Sequence, residues 1–148
     1  MSNCCSTTNV ETQKEKRQIA ECPRCRNRMK PVERVTLMHH VAAPINQTIP
    51  ADPFFFCSDV ACPVVYFSNE GFVIQAAEVR EKIGQKSTEE NRLICYCFGI
   101  TNKRVMEEIE QTGQSASKAF VIEQTTLKSC ACNIRNPSGK CCLKEFPK

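Results

Sequence analysis

The sequence predicts an α+β fold in two small halves, a strand-rich first half and a helical second half. Short β-branched and aromatic runs at 54–56, 64–67 and 72–74 crowd residues 21–80, whereas helical periodicity with capping residues is confined to 93–148. A charged and polar stretch, residues 81–92 (EKIGQKSTEENR), separates them as a linker. Each half holds at least four of the 12 cysteines, and tryptophan is absent. Halves of this size cannot each bury a large core, so cross-links must substitute for burial.

In chain order, residues 1–20 read as a disordered tail, polar and mixed in charge, with Cys4-Cys5 inside it. The stretch from Val32 to Val41, with Val35 and Leu37, reads as extended, and residues 42–53, holding Pro44, Pro50 and Pro53, as a loop. Ser68-Asn69-Glu70-Gly71 is a turn signal between two strands. In the second half Thr101 is a usable N-cap, Val105, Met106 and Ile109 share a helical face, and Thr112-Gly113 ends that helix. A second helix follows Ser115, burying Ala119, Phe120 and Ile122 or near neighbours, and a cysteine-rich loop follows it. Glu107, Glu108 and Glu110 read as a solvated helix face. No Ser-His-Asp, Cys-His or paired-carboxylate arrangement marks a catalytic centre.

The polar start lacks the apolar run of a secretory signal, and no stretch approaches the ~20 apolar residues of a membrane span. The expected compartment is therefore the cytoplasm, where thiols stay reduced and cysteine pairs read first as metal ligands. The formal charge of +4 counts every cysteine as neutral. Two four-thiolate centres carrying about −2 each would bring it near zero, so the basic composition is weak evidence for nucleic-acid binding.

Cys22-Pro-Arg-Cys25 is the tight half of a zinc site, and Cys57-Ser-Asp-Val-Ala-Cys62 supplies a second pair at a usable spacing. Each pair adjoins an extended run. Four thiolates close a tetrahedron with no open position, so the expected zinc is structural and the half a zinc-ribbon-like β module. A single iron ion or redox thiols are the alternatives. His39 and His40 are the only histidines, and in a strand at most one could approach the site. The plainer reading is a half-buried strand histidine.

Cys95-Tyr96-Cys97 places two thiols on one side of an extended segment. Cys130-Ala-Cys132 and Cys141-Cys142 follow after a helical hairpin, giving six thiols where a 2Fe–2S cluster needs four. The backbone N–H groups of the Asn136–Gly139 turn could point at cluster sulfurs. A second zinc site is the alternative.

The C-x-C, helical hairpin and cysteine loop resemble the bacterioferritin-associated ferredoxin type of 2Fe–2S domain. Over residues 21–146 the chain is similar to the amino-terminal region of CopZ copper chaperones carrying zinc and a 2Fe–2S cluster. The strings behind this are Cys22-Pro-x-Cys25, Phe54-Phe-Phe-Cys57-Ser, Cys62-x-Val-Val-Tyr-Phe67, Val-x-x-x-x-Gly84, Cys95-Tyr-Cys97 and Asn136-Pro-Ser-Gly-Lys-Cys-Cys142. The resemblance implies zinc on Cys22, Cys25, Cys57 and Cys62, and a 2Fe–2S cluster on Cys95 and Cys97 with one cysteine from each later pair. Spacing to Asn136 favours Cys132 over Cys130, and Cys142 is preferred to Cys141. It further implies reduction of Cu(II) and delivery of Cu(I), with copper ions and a copper-handling protein such as a transport ATPase as partners. Fuller family members add a domain with a Met-x-Cys-x2-Cys copper site, and residues 1–148 contain no such motif. Cys4-Cys5, Cys130 and Cys141 are the remaining soft ligands for Cu(I).

Overall fold

A computed structural model describes residues 19–147; Cys4 and Cys5 lie outside them. The fold is α+β. Five strands pair antiparallel in chain order: β1 (Ala20–Glu21), β2 (Arg28–Val32), β3 (Phe54–Phe56), β4 (Val64–Ser68) and β5 (Val73–Gln75). A two-stranded ribbon, β6 (Leu93–Cys95) and β7 (Ile100–Thr101), opens the second half.

Strand alternation sorts the aromatic run onto two faces. Phe54 and Phe56 join one apolar cluster with Leu37, Val41 and Ile74, while Phe55 joins the other, which contains Cys22, Cys57 and Cys62. The pairing register of β4 with β5 shifts between Val64 and Tyr66, and Val65 and Tyr66 both face the first cluster. Gly71 takes φ +93° in the expected turn, with Ser68 N–H on the Phe72 carbonyl.

The extended reading of the segment between Val32 and Val41 is corrected: residues Arg34–His40 form helix α1. Its buried positions, Thr36, Leu37 and His40, follow helical spacing, and Val35 and Met38 face outward. Tertiary packing of that one face outweighs the β-branched content of a helix too short to be stable alone. Both histidines therefore lie on a helix, with His40 5 % exposed.

Residues 81–92 connect the halves and are themselves packed. Ile83 and Gly84 are buried, the latter in a 3-10 turn (Gly84–Lys86). Helix α2 (Asn102–Thr112) is capped by Thr101 Oγ1 and ended by Gly113 at φ +79°. Helix α3 (Ala116–Thr126) is capped by Ser115 Oγ. Its buried positions are Ser117 and Val121, so Ala119, Phe120 and Ile122 face outward, as does Met106 of α2. The reason lies in Glu108, which does not sit on a purely solvated face. Its carboxylate accepts from Ser115 Oγ, Ser117 N–H and Ser117 Oγ at 2.7–3.0 Å and pins the start of α3. A short helix, α4 (Cys132–Arg135), begins the cysteine loop.

Candidate metal centres

The first centre is built by two turns at one end of the meander. The β1–β2 turn carries Cys22 and Cys25; Cys22 N–H donates to the Asn27 carbonyl, and Arg26 N–H to the Cys22 carbonyl. Cys57 follows β3 directly, with its N–H on the Val65 carbonyl. Asp59 organises the second turn by accepting from Ala61 N–H and Asn27 Nδ2, the latter tying the two turns together at 2.8 Å. Lys86 Nζ donates to the carbonyls of Asp59 and Cys62, so the connecting segment clamps this turn.

The four sulfurs lie within 4.8 Å of one another, with Cys22–Cys62 at 3.8 Å and Cys25–Cys57 at 3.7 Å. A tetrahedral ion with bonds of about 2.3 Å requires edges of about 3.8 Å. Burial pushes the Cys57 and Cys25 thiols up. At Cys22 burial acts the same way, but hydrogen bonds from the backbone of Cys25 and Arg24 and from neighbouring thiols bring it below its ordinary value. Metal-free, these thiols compete for protons; a divalent ion allows all four to ionise together. The donor set therefore fits zinc. Neither histidine belongs to it.

The second group lies where β6, the helical hairpin and the cysteine loop meet. Cys95 ends β6, Cys97 lies in the β6–β7 turn, Cys132 begins α4, and Cys142 begins a 3-10 turn (Cys142–Glu145). Cys95 and Cys142 are each 1 % exposed and lie together in one buried cluster. The Cys142 thiol, together with backbone groups of Phe98 and Cys97, lowers Cys95 to about 6 against the opposing effect of burial. The Cys95 thiol and burial push Cys142 far up. Cys97 Sγ lies 3.8 Å from Cys132 Sγ and accepts from Ala131 N–H at 3.2 Å. Cys130 is half-buried and Cys141 exposed. Among the described residues, Cys22, Cys25, Cys57 and Cys62 alone form a set whose ligand atoms all lie within 4.8 Å; in the second group Cys97 and Cys132 pack against the cluster that buries Cys95 and Cys142.

The loop carrying Cys132 and Cys142 is held largely from the first half. Thr36 Oγ1 donates to the Asn133 carbonyl and Tyr66 OH to the Pro137 carbonyl, each at 2.5 Å. Asn136, 1 % exposed, accepts on Oδ1 from Gln85 Nε2, Ser138 N–H and Ser138 Oγ. Tyr96, between Cys95 and Cys97, accepts from Gly84 N–H and donates to Gln85 Oε1. A side chain at Gly84 would overlap the Leu93 carbonyl, which accounts for glycine there. Spacing could not reveal these supports, because the partners are 51, 71 and 97 residues apart. The one local signal is Tyr66 itself, a polar tip within the apolar run Val64–Phe67.

Comparisons with known proteins agree with this geometry. Residues 19–80 match a family described as a zinc-binding domain, of the CopZ type. The copper chaperone CopZ of Archaeoglobus fulgidus is 37 % identical over 124 residues, covering 84 % of this chain. The chain spans 58 % of that relative's length. The crystal structure of the Archaeoglobus fulgidus CopZ N-terminal domain superposes with a TM-score of 0.72 at 32 % identity, covering 87 % of this chain and 100 % of that one. The described residues include no helix long and apolar enough to cross a membrane. With its four-cysteine zinc site and a match over the whole of that solved domain, the chain belongs to the CopZ family, as a relative of its amino-terminal domain.

Proposed function

We propose that this chain is a zinc- and 2Fe–2S-binding redox protein of cytoplasmic copper homeostasis, passing single electrons such as those that reduce Cu(II) to Cu(I) for delivery. The observation that carries the reading is the second thiol group. Cys97 and Cys132 form a pair at 3.8 Å, and Cys95 and Cys142 are buried in the cluster they pack against, a four-thiol donor set that suits two neighbouring irons better than one closed ion. When bound, the cluster would supply a one-electron couple. Cys95 and Cys142 would hold it from the apolar interior, and Cys97 and Cys132 from the less buried side. Ala131 N–H, on Cys97 Sγ, would stabilise negative charge on that sulfur. Zinc in the first half has no open position and serves as structure, with a module boundary near residues 81–92.

Anaerobic purification with metal analysis tests this. The expected protein is red-brown, contains about one zinc and two irons per chain, and is bleached by dithionite. Colourless protein with two zinc ions and no iron would refute it.

Exposed Cys141 and half-buried Cys130, outside that four-thiol set, favour a second reading in which the chain carries Cu(I) to a copper-handling protein such as a transport ATPase. Titration against a Cu(I) chelator tests it; a Cys130→Ser/Cys141→Ser variant that competes as well as wild type would remove these thiols from copper carriage.

A further inference from the structure

The segment between the halves reaches both thiol groups through one turn. Gly84, Gln85 and Lys86 form a 3-10 turn, closed by Lys86 N–H on the Ile83 carbonyl and Ser87 N–H on the Gly84 carbonyl. Ile83, buried, anchors it in an apolar cluster of the first half. Gly84 N–H donates to Tyr96 OH, which donates to Gln85 Oε1 at 3.3 Å; Tyr96 stands between Cys95 and Cys97. Gln85 Nε2 donates to Asn136 Oδ1 at 2.8 Å, in the loop between Cys132 and Cys142. Lys86 Nζ donates to the Asp59 and Cys62 carbonyls at 2.8 and 3.0 Å. The turn is thus bonded to a zinc-bearing turn of the first half and to both segments that carry the second thiols.

These bonds depend on one another. So short a turn has few backbone bonds of its own, and its place is set by what its side chains and ends meet. Lys86 brings a long, flexible side chain, which loses rotamer freedom to hold two carbonyls and does so best from a fixed backbone. Burial pushes the Cys57 thiol up, and the Asp59 backbone and the Lys86 charge oppose it. The lysine therefore both fixes the turn that carries Cys62 and favours an ionised thiol for the metal.

We infer that residues 84–86 couple the two centres: a filled second centre fixes Tyr96 and the 132–142 loop, keeps Lys86 on the Asp59 and Cys62 carbonyls, and so tightens the hold on zinc. Lys86 acts as a positioning residue, through the turn that carries Cys62. The inference rests on the reading above that the second thiols hold a metal centre, and not on that centre carrying electrons. Linkage makes the effect reciprocal, so zinc in the first centre favours filling of the second by the same factor. Hydrogen bonds from a charged donor set that factor at about tenfold.

The full chain, as purified and with its metals counted, is compared with Cys97→Ser/Cys132→Ser, which cannot fill the second centre and keeps the buried Cys95 and Cys142. Zinc is drawn off by a competing chelator at equilibrium. Emptied first sites are trapped by a pulse of iodoacetamide and read by mass spectrometry of the peptides holding Cys22, Cys25, Cys57 and Cys62. Zinc affinity should be about tenfold lower in the chain with no second centre. Lys86→Met, made in both backgrounds, should weaken zinc in the filled chain and bring the filled-to-empty ratio near one. Gln85→Leu, which keeps the lysine but cuts its turn from Tyr96 and Asn136, should do the same, whereas Lys82→Met should preserve the ratio. Equal zinc affinity in filled and empty chains, or a ratio that persists in Lys86→Met and Gln85→Leu, would overturn the coupling. A purified chain with one zinc and bare second thiols would refute the underlying reading and the inference with it. A colourless chain with metal on both sets, and a ratio that Lys86→Met abolishes, would uphold the coupling and refute the redox reading alone.

Discussion

Replacing Tyr66 with phenylalanine removes one oxygen atom and tests whether the first half holds the cysteine loop. The ring is fully buried and lies 5.7 Å from Phe56 between centroids, packing that phenylalanine would keep. What is lost is the 2.5 Å bond to the Pro137 carbonyl. Pro137 is buried, so its acceptor would be left without that donor. A buried polar group losing its partner costs about 1–3 kcal/mol, or roughly a 5- to 150-fold shift in an opening equilibrium. Because the bond joins residues 71 apart, the cost should appear as opening of the loop between Cys132 and Cys142. Urea unfolding of the metal-loaded protein would measure the global loss, and hydrogen exchange at 138–142 the local one. A double-mutant cycle with Thr36→Val, which removes the bond to Asn133, should show coupling, since both donors hold one loop. A Tyr66→Phe loss below about 0.5 kcal/mol, with exchange unchanged in the loop, would refute the idea that this hydroxyl positions it.

Four further outcomes are expected. Glu108→Gln should cost about 1–2 kcal/mol at neutral pH, because charge-assisted bonds at the start of α3 weaken. Burial opposes the lowered carboxyl pKa and the Ser117 and Ser115 bonds produce it, so the wild-type advantage should be present above the ordinary value of 4.5 and vanish as pH falls through the folded value, as read by melting temperature. Gly84→Ala should destabilise the junction by about 2 kcal/mol or more through overlap with the Leu93 carbonyl, measured by urea unfolding. Burial, then His39, lowers His40 to about 4, so stability should fall as pH drops from its ordinary 6.5 towards 4, and His40→Leu should flatten that part of the melting profile. Chelating zinc, or replacing Cys57 with serine, should unfold the first half, with loss of near-ultraviolet circular dichroism from its phenylalanines; retained dichroism would refute zinc as its cross-link.

The four-cysteine set of the first half was legible because its information is local: two short spacings, the second directly after the strand Phe54–Phe56. Strands β3, β4 and β5 were legible for the same reason, through aromatic and β-branched runs bounded by turns; β1 and β2 were not, because Ala20–Glu21 and Arg28–Val32 carry almost no such residues. Helix α1 was not, because its apolar residues fit both a strand and a helix until Leu37 and His40 meet the rest of the protein. Helix α3 was placed correctly at its Ser115 cap, yet its buried face was misjudged. That face depends on Glu108 seven residues before the cap, and a glutamate in a polar helix gives no sign of such a role. Among the six later cysteines, spacing left two choices open. Burial distinguishes the members of one, since Cys142 is interior and Cys141 exposed; Cys130 and Cys132 are both half-buried and differ in that Cys132 Sγ lies 3.8 Å from Cys97 Sγ.

The two halves differ in what they require of the chain. A closed four-thiolate zinc site needs little beyond its own turns, which Asn27, Asp59 and Lys86 tie together. The second group gathers thiols from β6, its turn and a loop with few regular backbone bonds, and such a loop has no ladder to fix it. Side chains of the first half supply the missing constraints: Thr36 from α1, Tyr66 from β4 and Gln85 from the connecting turn reach Asn133, Pro137 and Asn136. A zinc-held sheet is thus a rigid frame against which a cysteine loop is oriented. Rigid support matters most for a one-electron centre, where small shifts of sulfur and of hydrogen bonds to sulfur change the potential. On the proposed reading the zinc would act on a one-electron centre through mechanical support, without touching it.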